Sequence, residues 1–150
     1  MELVWTCNHF NELSNTELYK ILQLRSSVFI VEQNCVYQDI DNKDLVCHHV
    51  CGWAGDKLAA NTRLVPAGKS FKEVSIGRVV TNAECRKGGY GRELMRRSIE
   101  KCYEVFGKQD IRIGAQLYLK KFYEDFGFEQ CSAIYLEDGI EHIEMILRIK

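Results

Sequence analysis

The stretch "ECRKGGYGRELM", Glu84 to Met95, interleaves three basic side chains (Arg86, Lys87, Arg92) with three glycines (Gly88, Gly89, Gly91) where an amphipathic helical pattern begins. Glycine is costly to order from the unfolded chain, so a run of it fits where a backbone must approach something closely. The chemistry that fits is anion binding. A first helical turn presents unpaired N–H groups and the positive end of its dipole. Glycines let a bulky diphosphate reach those groups, and Arg86, Lys87 and Arg92 add charge-assisted hydrogen bonds. Two familiar phosphate loops are excluded by spacing. Arg92 and Glu93 follow Gly91 where a P-loop needs Lys-Ser/Thr, and Leu94 stands where G-x-G-x-x-G needs its last glycine.

A second candidate for chemistry is "CHHVC", Cys47 to Cys51, whose alternation is that of a strand with Cys47, His49 and Cys51 on one face. A zinc site takes four ligands, usually from separated knuckles, so no metal is expected. The 7 cysteines are odd in number and lack framework spacing; they read as reduced thiols of a cytoplasmic protein.

The elements that must position the glycine loop follow from periodicity. "ELVWTCN" alternates like a strand. Ser14 and Glu17 have capping-box spacing and open a helix expected to run to about Gln33. "VCHHVCGWA" and "KLAANTRLVP" flank Gly55-Asp56 as a hairpin, and Val74–Thr81 is a further strand. After the loop, a helix is predicted from Tyr90 to Phe106, with Gly91, Met95, Ile99, Cys102 and Phe106 as its stripe and Gly107 as its stop. Ile111–Ala115 is a short strand, "LYLKKFYEDFG" a helix, and "FEQCSAIYLE" and "EHIEMILRIK" a hairpin about Asp138-Gly139. The order is β-α-β-β-β-α-β-α-β-β, an α/β fold with a mixed sheet. Val74–Thr81 and Ile111–Ala115 are expected to be parallel across a right-handed crossover. No linker or repeat interrupts the chain, so residues 1–150 read as one domain.

Bulk numbers narrow the function classes. A net charge of −1 gives no global attraction to nucleic acid or to acidic membranes, so any anion site is local. No apolar stretch is long enough to span a bilayer, and the N-terminus lacks the pattern of a secretory signal.

The segment "VVTNAECRKGGYGRELM" resembles the coenzyme A signature of the GNAT acyltransferases, R-x-x-G-x-G from Arg86 to Gly91. "RSSVFIVEQNCVYQDIDNKD", "IGRVVT", "AQLYLKKFYEDFGF" and "YLEDGIEHIEM" together resemble the ElaA-like branch of that family. The resemblance implies that Arg86, Lys87, Gly88, Gly89, Tyr90, Gly91 and Arg92 cradle the pyrophosphate of coenzyme A. Val79, Val80 and Thr81 would pair with its pantetheine amides in a slot between splayed strands. Gln116 matches a position that contacts the cofactor with an amide. Tyr123 matches the family's proton donor to the departing thiolate; on its helix it lies about 100° from Phe122, at the edge of the Leu119, Phe122 and Phe126 stripe. Glu32 is the expected general base, on the argument that a buried glutamate's pKa can rise toward neutrality; His48, Glu73 and His142 compete with it.

The implied activity is transfer of acetyl from acetyl-CoA to an amine of a small molecule or peptide by direct attack, with no metal. Two alternatives stand beside it: a non-catalytic acyl-CoA-binding module, and a relative of the acyl-homoserine lactone synthases, which "RSSVF" resembles. The acidic residues Asp39, Asp41, Asp44, Glu137, Asp138, Glu141 and Glu144 hint at a cationic acceptor. Arg25, Arg63 and Arg78 are either ion-pair formers or substrate contacts. No nucleic acid or membrane partner is expected, and a homodimer is one option for the assembly.

Overall fold

Ser14 caps the first helix as its spacing predicts. In a computed structural model that describes residues 2–150, the Ser14 hydroxyl accepts from the Glu17 amide at 3.1 Å, and the Glu17 carboxylate accepts from the Ser14 amide at 2.8 Å. Helix α1 (Asn15–Arg25) follows. From Ser26 to Glu32 the coil widens into π-type turns instead of continuing as regular α-helix, a form concentrated at functional positions.

Strands β1 (Val4–His9), β2 (His48–Ala54), β3 (Lys57–Val65) and β4 (Ser75–Thr81) make an antiparallel sheet in that order. Helix α2 (Tyr90–Phe106) has the predicted bounds and stops at Gly107, whose φ is +88°. It covers one face of the sheet: Leu94, Met95 and Cys102 pack with Val50, Ala60, Leu64 and Ile76. Helix α1 covers the other face, with Ile21 and Leu24 against Cys51, Leu58 and Val80. Each aliphatic side chain buried this way contributes about 1.5–3 kcal/mol, so the two helices clamp the first sheet as a middle layer.

The second half comprises β5 (Ile111–Gln116), α3 (Lys120–Glu124), β6 (Glu129–Gln130), β7 (Tyr135–Glu137) and β8 (Ile140–Leu147). Its sheet runs β5-β8-β6, with β7 also paired to β8. Asp138 and Gly139 turn the β7–β8 hairpin at φ +51° and +79°, the paired positive angles of a tight two-residue turn.

Two expectations need correction. The predicted strand through "FEQCSAIYLE" is two short strands separated by Cys131–Ile134, so the order gains a strand. The predicted parallel pairing of Val74–Thr81 with Ile111–Ala115 is reduced to one rung: Val74 bridges Ile111, and the Arg112 amide donates to the Val74 carbonyl at 3.1 Å. Beyond that rung β4 and β5 part. Among the described residues no helix is long and apolar enough to cross a membrane.

Candidate active site

The parting of β4 and β5 opens a cleft of about 780 Å³. Beyond Val74, β4 is the last strand of its sheet, so its main-chain groups on the cleft side have no strand partner. Such an edge is a template for an extended ligand. Val79, Val80 and Thr81 line the cleft at the end of this edge.

Just before them β4 carries a bulge. Asn61 of β3 opposes Val80 and Arg63 opposes Gly77, so Thr62 alone faces both Arg78 and Val79. Arg78 sits at φ +48°, a left-handed conformation uncommon for residues other than glycine. A bulge bends a strand and re-aims its side chains; here the Arg78 side chain borders the cleft.

The glycine loop lies at the far end of β4. Ala83–Gly88 form a 3₁₀ turn, and Gly89, at φ +70°, leads into α2, whose first turn has no side-chain cap. A Cβ on Gly89 would meet nothing within 4 Å, whereas one on Gly88 would lie 2.5 Å from the Tyr90 ring. Gly91 borders the cleft. The main chain is therefore approachable at Gly89 and Gly91, while Gly88 is glycine because the Tyr90 ring packs on it.

The basic side chains there are not idle. Arg86 meets Glu32 through two hydrogen bonds of 2.7 Å and also donates to the Thr81 carbonyl at 3.3 Å. Arg92 pairs with Asp125 at 2.9 Å and lies over the Phe122 ring. Lys87 makes no ion pair among the described residues. Exposed pairs of this kind are worth about 0–1 kcal/mol, so a diphosphate can displace them.

Tyr123 packs its ring into the core against Phe122 and Phe128 and is 5 % exposed. It borders the cleft, and its hydroxyl makes no hydrogen bond among the described residues. Burial pushes its pKa up, so it stays protonated near neutrality, as a proton donor must. Gln116 ends β5 at the cleft, with its amide 3.5 Å from the Gln33 side-chain oxygen.

Glu32 departs from the condition set for it. It is exposed, and the hydrogen bonds from Arg86 hold its carboxyl below the usual carboxylate range, the reverse of the upward shift a base near neutral pH needs. Of its competitors, Glu73 pairs with Arg112 at 2.9 Å and His48 stands against His9 and Phe106; neither lines the cleft. His142 does. Its Nδ1 lies 2.7 Å from the Ile140 carbonyl, its ring stacks on Tyr135, and Nε2 is 3.5 Å from Glu137. A carbonyl only accepts, so Nδ1 carries a proton, and in the neutral ring the Nε2 lone pair stands beside the Glu137 carboxylate.

The cysteine-histidine run is engaged elsewhere. Cys47 donates to the Lys43 carbonyl, His49 Nε2 sits 3.4 Å from the Asp44 carbonyl, and the Asn61 amide meets Cys51. Burial pushes the Cys47 and Cys51 thiols up to about 11 and about 12.

Arg25, Arg63 and Arg78 alternate with Asp39, Asp41 and Asp44 in a closed ring. Arg25 reaches Asp39 at 3.0 Å and Asp44 at 2.7 Å. Arg63 joins Asp44 at 3.2 Å to Asp41 at 2.7 Å. Arg78 closes the circle between Asp39 at 2.8 Å and Asp41 at 3.4 Å. The ring pins the connection after the π-type turns to α1, β3 and β4. It also overturns the hint that Asp39, Asp41 and Asp44 attract a cationic acceptor: those charges are already matched. Burial alone would raise the Asp44 carboxyl, but the bonds and charges of Arg25 and Arg63 outweigh it and hold it below the usual range.

Sequence reasoning also passed over Gly114. A Cβ there would lie 3.2 Å from the Tyr135 hydroxyl and 3.7 Å from Phe71, so a side chain at this cleft position would crowd the Tyr135 hydroxyl. A lone glycine inside an alternating strand was the available signal.

An edge strand running into an uncapped helix N-terminus, beside a slot between parted strands, defines the class: this is an acyltransferase fold. Residues 20–149 match the family model described as an acetyltransferase (GNAT) domain, and the chain belongs to the GNAT family. It falls in the ElaA-like branch: protein ElaA of Escherichia coli K12 is 42% identical over 143 residues, 94% of each chain. The crystal structure of E. coli ElaA superposes with a TM-score of 0.89 at 40% identity, covering 96% of this chain and 98% of that one. An acyl-CoA N-acyltransferase from Pseudomonas aeruginosa superposes with a TM-score of 0.91 at 39% identity and the same coverage. The fold alone is shared with BjaI, a CoA-dependent acyl-homoserine lactone synthase, at 15% identity and a TM-score of 0.73.

Proposed function

We propose that this protein is an N-acetyltransferase that moves an acetyl group from acetyl-CoA to an amine. The observation that carries the reading is the unpaired edge of β4 leading straight into the uncapped N-terminus of α2. Pantetheine carries amides that match a strand edge, and its diphosphate matches a helix N-terminus. The approachable main chain at Gly89 and Gly91 supports the same fit, with Arg86, Lys87 and Arg92 as the positive surround and the Gln116 amide at the slot.

In this reading the amine nitrogen forms a bond to the thioester carbonyl carbon, and the carbon–sulfur bond breaks. Tyr123 gives its hydroxyl proton to the departing sulfur, and the proton that the acylated nitrogen sheds on becoming an amide restores it. An ammonium has no lone pair, so its proton must leave first; His142 Nε2 is the acceptor that the cleft offers, and Glu32 serves instead as the anchor of Arg86. General acid and base groups of this kind contribute about 10²–10⁴-fold each.

The test is a panel of amines assayed for acetyl-CoA-dependent thiol release, alongside thermal protection by acetyl-CoA. Protection with thiol release supports transfer. Protection without release for any amine would favour a binding module, and no protection would remove the reading.

A further inference from the structure

We infer that the acceptor carries a carboxylate beside its reactive amine, and that Arg78 is the residue that recognises it. The inference rests on the acyl-transfer reading and deepens it. Arg78 occupies a bulge position at φ +48°, where a glycine would be free of strain. An arginine kept at such a position is kept for its side chain, and strain of this kind gathers at functional sites.

The guanidinium is fixed from several sides. Nε donates to Asp39 at 2.8 Å, and Nη2 donates to the Asp39 carbonyl at 3.1 Å and to Asp41 at 3.4 Å. Tyr37 lies under it at 5.6 Å. Among the described residues, Nη1 has no hydrogen-bond partner; the side chain is 23 % exposed, and the residue borders the cleft. Two N–H groups are thus held ready on a side chain that cannot turn away. The ring settles the charge question: three arginines face three aspartates, so Asp41 and Asp39 do not leave this wall negative.

From the second sheet, Glu137, Asp138 and His142 also line the cleft, and the two carboxylates suit an incoming ammonium. Lys43, whose ammonium among the described residues meets only the Ser70 hydroxyl at 3.1 Å, lines the same cleft. A zwitterion, an amino acid or a peptide with its carboxylate near its amine, matches the Arg78 Nη1 donors and Lys43 together with the carboxylates of Glu137 and Asp138.

The test needs no turnover. Protein saturated with coenzyme A is titrated with N-acetylglycine and N-acetylglycinamide, followed by NMR line shifts; the pair differ only in the carboxylate. The acid should bind at least about tenfold more tightly than the amide, the difference expected for a charge-assisted pair. Arg78→Gln should erase that preference, and Arg78→Lys should restore part of it, with coenzyme A affinity unchanged in both. In turnover, both variants should raise KM for carboxylate-bearing amines more than they lower kcat. Equal binding of acid and amide by the unaltered protein, or no binding of either, would overturn the inference whether or not any variant folds. Failure of acyl transfer shows differently, as absent thiol release or absent coenzyme A binding.

Discussion

Glu32 and Arg86 meet head to head, two guanidinium nitrogens each 2.7 Å from a carboxylate oxygen, at the mouth of the cleft. The pair occupies the guanidinium that the diphosphate would use. Glu32→Gln should therefore tighten acetyl-CoA binding by up to about fivefold, the ceiling for an exposed pair, in a calorimetric titration. The pH–rate profile should keep its acidic limb. A lost limb would return Glu32 to the role of base.

Gly91 tests the cradle. An added Cβ meets only Phe122, at 3.9 Å, so Gly91→Val should fold with a melting temperature within a few degrees of the parent. Its branched side chain would stand between the ligand and the amides of the first helical turn. Thermal protection by acetyl-CoA should vanish, and undiminished protection would dismiss the loop.

Tyr123→Phe removes a hydroxyl that bonds to no group among the described residues. Turnover should fall by about two orders of magnitude or more while acetyl-CoA affinity stays level. Unchanged turnover would leave Tyr123 as a core residue.

His142→Asn should lower turnover by about two orders of magnitude, because the proton acceptor that the cleft offers is gone. The side-chain amide can still donate toward the Ile140 carbonyl, so folding should hold. Undiminished turnover in the variant points to proton loss through solvent.

Stability should respond to acid through the ring. The folded carboxyl of Asp44 lies below its ordinary value, near 3.9 when unfolded. A lowered folded value adds stability above the unfolded one, and that stability is lost as the pH falls through the folded value. Melting temperature should hold from pH 7 to about 5 and decline below about 4. Asp44→Asn should cost about 3–5 kcal/mol at neutral pH, by leaving Arg25 and Arg63 short of a partner, and should show a shallower acid decline. Equal declines would take Asp44 out of the titrating set.

What the sequence disclosed and what it hid follow from the range of the forces involved. Tyr90–Phe106 was legible to the residue because a glycine stands at each end of a clear apolar stripe. Asp138-Gly139 was legible because few residue pairs tolerate two positive φ angles. The break in the last hairpin was not: Cys131 still donates to the Glu144 carbonyl, but the Ser132 hydroxyl accepts from the Glu144 amide at 2.8 Å. A side chain there does a strand's work, which alternation cannot register. Periodicity likewise missed the π-type turns after Arg25, since apolar spacing barely distinguishes them from regular helix. The ring joins residues 14 to 39 positions apart, beyond any local pattern. Its trace was present all the same: arginines inside the apolar runs "NTRLV" and "IGRVV" have to find carboxylates somewhere.

Among the described residues, one β-bridge, from Val74 to Ile111, stitches the two sheets together. Past that stitch the weave is left unfinished, and a guest that lays its amides along β4 supplies the missing thread. Loading and stiffening should then be a single event, with the filled protein the more rigid fabric of the two.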